Sequence, residues 1–336
     1  MPPVPTHTMV YRADGEETLA VETPLRALAS GEVLVEVAGS ALGEEPGAEI
    51  AGVVIAAGDA TGEWTARRVI VPRVLPCGEC DRCRRGRCFA CAARASHGAV
   101  ARHAIVPARY LVSVEPPLWP EGGELWRLAA LSDAAATAHA AIVRAQIGPG
   151  DVCLIVGAGV SGRLAAALAR DAGALVAILD DDAARRARAA PLADVILDGS
   201  SLDALATRSA LESAATAAGR RPLEMRIIET TRTTRGRERA LELLGTGDTC
   251  VLIAGGSQRG NASAPLASLA LHEAQVIGVH GAHPDLLPEL VALVVRGRLR
   301  FDAEVVRRPF AMLGAALAEM RAGQLDDLVI VTPDSA

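Results

Sequence analysis

Cys77, Cys80, Cys83 and Cys91 follow one another with two, two and seven residues between them, and Cys88 lies inside the last interval. Thiolates two residues apart on a short loop can reach the corners of a tetrahedron, and four of them close a zinc site with no position open to water or substrate. The run predicts one structural zinc per chain on Cys77, Cys80, Cys83 and Cys91, with Cys88 as the alternative fourth ligand. Five of the seven cysteines lie in this loop, which argues against unrelated free thiols.

A second chemical pattern is Gly157-Ala158-Gly159-Val160-Ser161-Gly162, directly after the apolar run Asp151 to Val156. Gly157 permits a tight turn, Gly159 lets a diphosphate approach the backbone, and Gly162 lets helix and strand pack closely. The start of the following helix adds N–H donors and positive dipole. Asp180 closes the next apolar run about twenty residues on, where a carboxylate binds ribose hydroxyls and repels a 2′-phosphate. The spacing predicts a site for NAD(H) rather than NADP(H), built from Gly157, Gly159, Val160, Gly162 and Asp180. The competing reading is a glycine turn that packs helix on strand and holds no ligand.

These residues need elements to carry them, and the patterning changes along the chain. Up to about Ala130 the segments are short, alternating and broken by Gly and Pro, as in 32–37, 50–55 and 69–71. That pattern suits a small twisted barrel of antiparallel strands. From about Ala135 apolar strands alternate with helices. Strands are expected at 151–156, 175–179, 193–197, 225–229, 249–254 and 274–279, with a helix over 163–172. Six strands with helical connections predict an α/β class with a parallel, doubly wound sheet. Helices over 286–295 and 312–322 and a strand over 328–331 complete the chain.

Composition narrows the function classes. With 336 residues, half of them hydrophobic, the chain can bury two medium cores. The net charge of −6 leaves no footprint for nucleic acid. No uncharged apolar run is long enough to span a bilayer, and no secretory leader pattern opens the sequence. A cytoplasmic protein is expected, where thiols bind metal rather than pair as disulfides. All 34 basic residues are arginine, so lysine chemistry is excluded.

With the thiol loop, the Val156 to Gly162 turn, Ala193-Asp-Val-Ile-Leu-Asp198 and the Leu241 to Gly256 stretch in this order, the chain resembles the medium-chain dehydrogenase/reductase superfamily of zinc-containing alcohol dehydrogenases over essentially its whole length. The resemblance implies a GroES-like β-barrel catalytic domain, 1–138 and 282–336, interrupted by a Rossmann dinucleotide-binding domain, 139–281. It also implies a small-molecule substrate and a homodimer or homotetramer formed through the edge strand 274–279. The stretch Val69 to Cys80 and the run Arg307-Arg-Pro-Phe310 are similar to the 6-hydroxycyclohex-1-ene-1-carbonyl-CoA dehydrogenases, which implies a CoA thioester as substrate.

Against that family the chain also departs. Its members hold a catalytic zinc on three residues whose positions here read Ala41, Ala48 in Gly47-Ala-Glu49, and Asp133. A catalytic zinc needs about three protein ligands and an open position, so its absence is expected. The polar residue that starts the family's proton relay is Gly43, and only Leu42 to Pro46 separate the first two positions, where the family carries a longer cleft segment. Asp133 and Glu49 are the acidic residues that the resemblance brings near the vacated site. Both are candidate acid or base groups, although Asp133 could equally cap the helix that follows. His139 lies where the family helix faces the cofactor and is expected to be packed rather than catalytic. Two functions follow: an NAD(H)-dependent oxidoreductase without catalytic zinc, acting on an activated alkene or alcohol, or an inactive family member serving as a structural or regulatory subunit.

Overall fold

The computed structural model describes every residue except 1–2, 44–46, 48, 96–98, 115–122, 221–223, 254–261, 264–265, 282, 302–303 and 335–336. Ala48, most of the short segment ending at Pro46, the expected strand end at Ala254 and the expected boundary residue Ala282 lie outside the described residues. The chain divides into two units, Met1–Asp133 with His283–Ala336, and Ala134–Ala282.

In the first unit β1 (His7–Asp14) and β2 (Glu17–Pro24) form a hairpin. Its tip uses Gly15 at φ +61°, the left-handed region that glycine enters without a Cβ penalty. Next come β3 (Glu32–Ala41), β4 (Glu49–Ala57), β5 (Arg68–Val71), the short helix α1 (Asp81–Arg84), β6 (Val100–Ala101), β7 (His103–Pro107) and β8 (Val112–Ser113). β3 pairs antiparallel with both β4 and β7. Its alternate residues Val33, Val35 and Val37 enter one core with Ile50, Val54, Val69 and Val71, as the two-residue period of a strand requires.

The second unit opens with α2 (Ala134–Arg144), followed by β9 (Val152–Val156), α3 (Val160–Asp171), β10 (Leu175–Asp180), α4 (Ala183–Ala189), β11 (Val195–Asp198), α5 (Ala204–Ala217), β12 (Met225–Glu229), α6 (Thr234–Glu242), β13 (Thr249–Ile253), α7 (Leu266–Leu271) and β14 (Gln275–Val279). The six strands lie in the order β11-β10-β9-β12-β13-β14, and every pairing is parallel. All five residues of β9 are buried, as befits a strand with parallel neighbours on both sides. Strand order reverses between β9 and β12, so their carboxyl ends open a crevice there. α3 begins at Val160 rather than 163, because Gly159 caps it and its carbonyl already accepts from Arg163 N at 2.9 Å.

The chain then re-enters the first unit with α8 (Leu287–Val295), β15 (Val305–Pro309), α9 (Leu313–Arg321) and β16 (Leu328–Thr332). β16 pairs antiparallel with β3, and Phe310, Leu313, Leu317, Val329 and Val331 complete the core begun by the N-terminal strands. β15 runs parallel to β16, so the sheet is mixed rather than wholly antiparallel. α9 is the crossover that a parallel neighbour needs. Among the described residues no helix is long and apolar enough to cross a membrane.

Candidate functional site

The thiol loop hangs between an isolated bridge, Leu75 with Ala95, at its ends. Gly78, at φ +80°, leaves room for the Tyr110 hydroxyl, which an added Cβ would meet at 2.7 Å, and Arg109 Nη2 donates to Pro76 O at 2.7 Å. Within this frame the sulfurs of Cys77, Cys80, Cys83 and Cys91 all lie within 4.8 Å of one another. Three pairs stand at 3.8, 3.5 and 3.9 Å. A zinc with four bonds of about 2.3 Å needs sulfurs about 3.8 Å apart, so this donor set fits the ion. Backbone N–H groups of Glu79 and Cys80 lower the Cys77 thiol to about 6. Cys88 is buried, stands outside the group of four, and burial pushes its thiol up to about 11.

A second cluster forms where β3 ends and β4 begins. Ala41 and Glu49 are register partners, and both are buried. A Cβ added at Gly43 would sit 2.5 Å from Glu49 Oε1 and 3.9 Å from Asp133 Oδ2. Glycine at 43 thus leaves the space that the Glu49 carboxyl fills. Arg73, 9% exposed, donates from Nη1 to Asp133 Oδ2 at 2.7 Å. Glu49 Oε1 has no hydrogen-bond partner among the described residues. Burial, and then the charge of Asp133, raise the Glu49 pKa well above the ordinary carboxylate value, while Arg73 works the other way. The site thus pairs one carboxylate with a fixed guanidinium and, by burial beside that carboxylate, favours the protonated form of the other carboxyl. Arg73 was not picked out from the sequence; it lies sixty residues from its partner, and no local spacing marks it. His139 is buried on α2.

The third cluster sits at the carboxyl ends of β9 and β10. Gly157 adopts φ +104°, and a Cβ on Gly162 would lie 1.8 Å from Gly157 O. Thr230, after β12, donates from Oγ1 to Val156 O and Gly157 O, both at 3.0 Å, which fixes the turn from the neighbouring strand. Asp180 ends β10. Its Oδ2 accepts from Ala158 N and its Oδ1 from Asp182 N, each at 2.7 Å. Beside it opens a cavity of about 220 Å³ whose lining includes Asp180, Asp181, Arg185, Thr231, Arg235 and Arg239. A tight glycine cradle that no Cβ could share, a twelve-residue helix starting at Val160 and a carboxylate at the cavity wall fit an adenine dinucleotide. Beneath the cradle, Arg163 is fully buried and donates from Nη1 to Ala158 O at 2.8 Å; the sequence pattern, which reads this helix face as apolar, did not single it out.

Comparison with known proteins agrees with this architecture. Residues 28–116 match the alcohol dehydrogenase GroES-like domain. L-galactonate-5-dehydrogenase of Escherichia coli K12 is 26% identical over 275 residues, covering 80% of this chain and 76% of that protein. An alcohol dehydrogenase of Escherichia coli CFT073 solved with NADH superposes with a TM-score of 0.81 at 18% identity, covering 98% of this chain and all of that one. A Sinorhizobium meliloti 1021 protein of the zinc-binding dehydrogenase type, solved with NADP, gives 0.81 at 21% identity, again over 98% of this chain and all of that one. A GroES-like sheet unit that resumes after a six-stranded parallel unit is the fold these dehydrogenases share, and the match over residues 28–116 assigns an alcohol dehydrogenase GroES-like domain to the first unit.

Proposed function

We propose that the protein is an NAD(H)-dependent oxidoreductase that keeps a structural zinc on Cys77, Cys80, Cys83 and Cys91, works without a catalytic zinc, and acts on an activated alkene or alcohol carried as a CoA thioester. The observation that carries this reading is the 2.7 Å ion pair between Arg73 and Asp133. The family's metal would need Asp133 together with positions 41 and 48, and two of those three are alanines. The remaining carboxylate is already paired with a guanidinium, so the residues present do not fit a catalytic metal.

The chemistry asked of the chain follows from that substitution. A bound nicotinamide would supply or accept the hydride. Charge that develops on the substrate oxygen must then be met by protein groups, and a thioester carbonyl delocalises that charge so that a few hydrogen bonds suffice. Arg73 is a fixed cation with several N–H donors, oriented by Asp133. Glu49 holds a proton at a pH where an ordinary carboxyl has lost it, and is placed to give or take one. Asp180 holds the ribose, and the cradle of Gly157, Gly159 and Gly162 receives the diphosphate beside the N–H groups at Val160.

The experiment is elemental analysis of the purified protein together with turnover of enoyl-CoA substrates by NADH, with and without a chelator. One zinc per chain and chelator-resistant turnover are expected; two zincs per chain overturn the reading. A second reading, an inactive family member acting as a structural or regulatory subunit, is favoured by the Glu49 carboxyl filling the space beside Gly43. NADH binding with no turnover of any alkene or alcohol substrate would select it.

A further inference from the structure

The cavity beside Asp180 holds a charge arrangement that the glycine pattern does not account for. Asp181 reaches two arginines of α6: its Oδ1 lies 3.0 Å from Arg239 Nη1 and its Oδ2 lies 3.6 Å from Arg235 Nη2. The arginines are four residues apart and so share one face of the helix. Gly199 makes room for the pair, since a Cβ there would stand 2.4 Å from Asp181 Oδ1 and 2.9 Å from Arg239 Nη1. Arg239 is pinned further by Leu202 O, and its side chain is 17% exposed, whereas Arg235 is 75% exposed. Arg186 is held elsewhere: it donates to Asp180 O and Asp181 O and pairs with Asp198 at 3.1 Å.

We propose that Asp181 is a specificity-determining residue of the dinucleotide site: by pairing with Arg235 and Arg239 it keeps two phosphate-binding side chains from serving a 2′-phosphate next to Asp180. This rests on the dinucleotide reading of the cradle. Asp180 excludes the phosphate by its own charge. Asp181 excludes it by occupying the arginines that would compensate. Guanidinium groups bind phosphate through paired N–H donors, and without the Asp181 charge the lining residues Arg185, Arg235 and Arg239 outnumber the acids that face them. Cofactor choice at this site therefore depends on a pair of neighbouring aspartates with different duties.

Dissociation constants of the full chain for NADH and NADPH, measured by calorimetry, test the idea. Asp181→Asn should tighten NADPH binding about tenfold, equivalent to about 1.4 kcal/mol, and leave NADH within about threefold. Adding Arg235→Gln to Asp181→Asn should remove most of that gain, and raising the salt concentration should shrink it. Asp181→Ser, with a smaller side chain, should shift the ratio the same way and guards against a folding defect peculiar to asparagine. If both variants bind NADH and their NADPH to NADH ratio equals that of the wild type, the role of Asp181 is overturned while the dinucleotide reading stands. If the wild type binds neither dinucleotide, both fall together.

Discussion

Glu49 keeps its carboxyl where ionisation is costly, buried and beside the charge of Asp133. Its folded pKa is raised, so the native state holds a proton that the unfolded chain releases from the ordinary value of 4.5 upward. The stability this group contributes is full below that value and is lost as pH climbs through the folded pKa. Glu49→Gln, neutral at every pH, should therefore gain melting temperature relative to the wild type as pH rises, the two converging in acid; parallel profiles would refute the protonated carboxyl. Gly162 permits a different single-residue test. Its Cβ would strike backbone, the oxygen of Gly157 at 1.8 Å, so Gly162→Ala cannot be absorbed by a side-chain rotation. A loss of about 1–3 kcal/mol is expected from the displaced turn, with NADH affinity falling at least about tenfold. A variant that binds NADH as the wild type does would show that the cradle is only a packing device.

At the scale of elements, the thiol loop holds little regular structure besides α1, and its order depends on what ties it together. Cys80 lies close to two other sulfurs, at 3.5 and 3.9 Å, so Cys80→Ser removes a donor that no neighbour replaces. The variant should release its zinc and lose protease resistance in 77–91 while the six-stranded unit melts unchanged; full zinc content in the purified variant would contradict the four-thiolate site. β3 carries a comparable local demand. At Gly39, next to a register shift, the strand lies against Trp126, which a Cβ on Gly39 would meet at 2.7 Å. Gly39→Ala should cost about 1–3 kcal/mol by overpacking, read as a lower urea midpoint. Much of this layer was legible in the chain: thiol spacing, the glycine turn and the apolar strands are local patterns whose period or spacing states the element. The Arg73–Asp133 and Asp181–Arg239 pairs were not, because their partners come together only through the sheets, sixty and fifty-eight residues apart. The parallel β15–β16 edge was hidden for the same reason, since a strand's pattern does not say which neighbour it joins.

The whole molecule is one chain in which a continuous unit interrupts a discontinuous one. Residues 134–282 contain all six strands of their sheet and a closed core from Val152, Leu154, Leu175, Leu211, Ile227 and Cys250. Residues 1–133 do not close theirs. Between them Phe310, Leu313, Val329 and Val331, all from the returning segment, are at most 2% exposed in the core that the N-terminal strands begin, and β16 pairs with the end of β3 at Ser40 and Ala41. Without that segment, the end of β3 at Ser40 and Ala41 would lose its partner strand and the apolar face of the sheet would meet water. The fragment 134–282 should therefore unfold cooperatively in urea, with its own native far-ultraviolet spectrum. The fragment 1–133 should stay unfolded or aggregate, and adding the fragment 283–336 in trans should recover folded material. Cooperative folding of 1–133 alone would show that its strands pair differently from the order β16-β3-β4-β5, and that the returning segment decorates this unit instead of completing it.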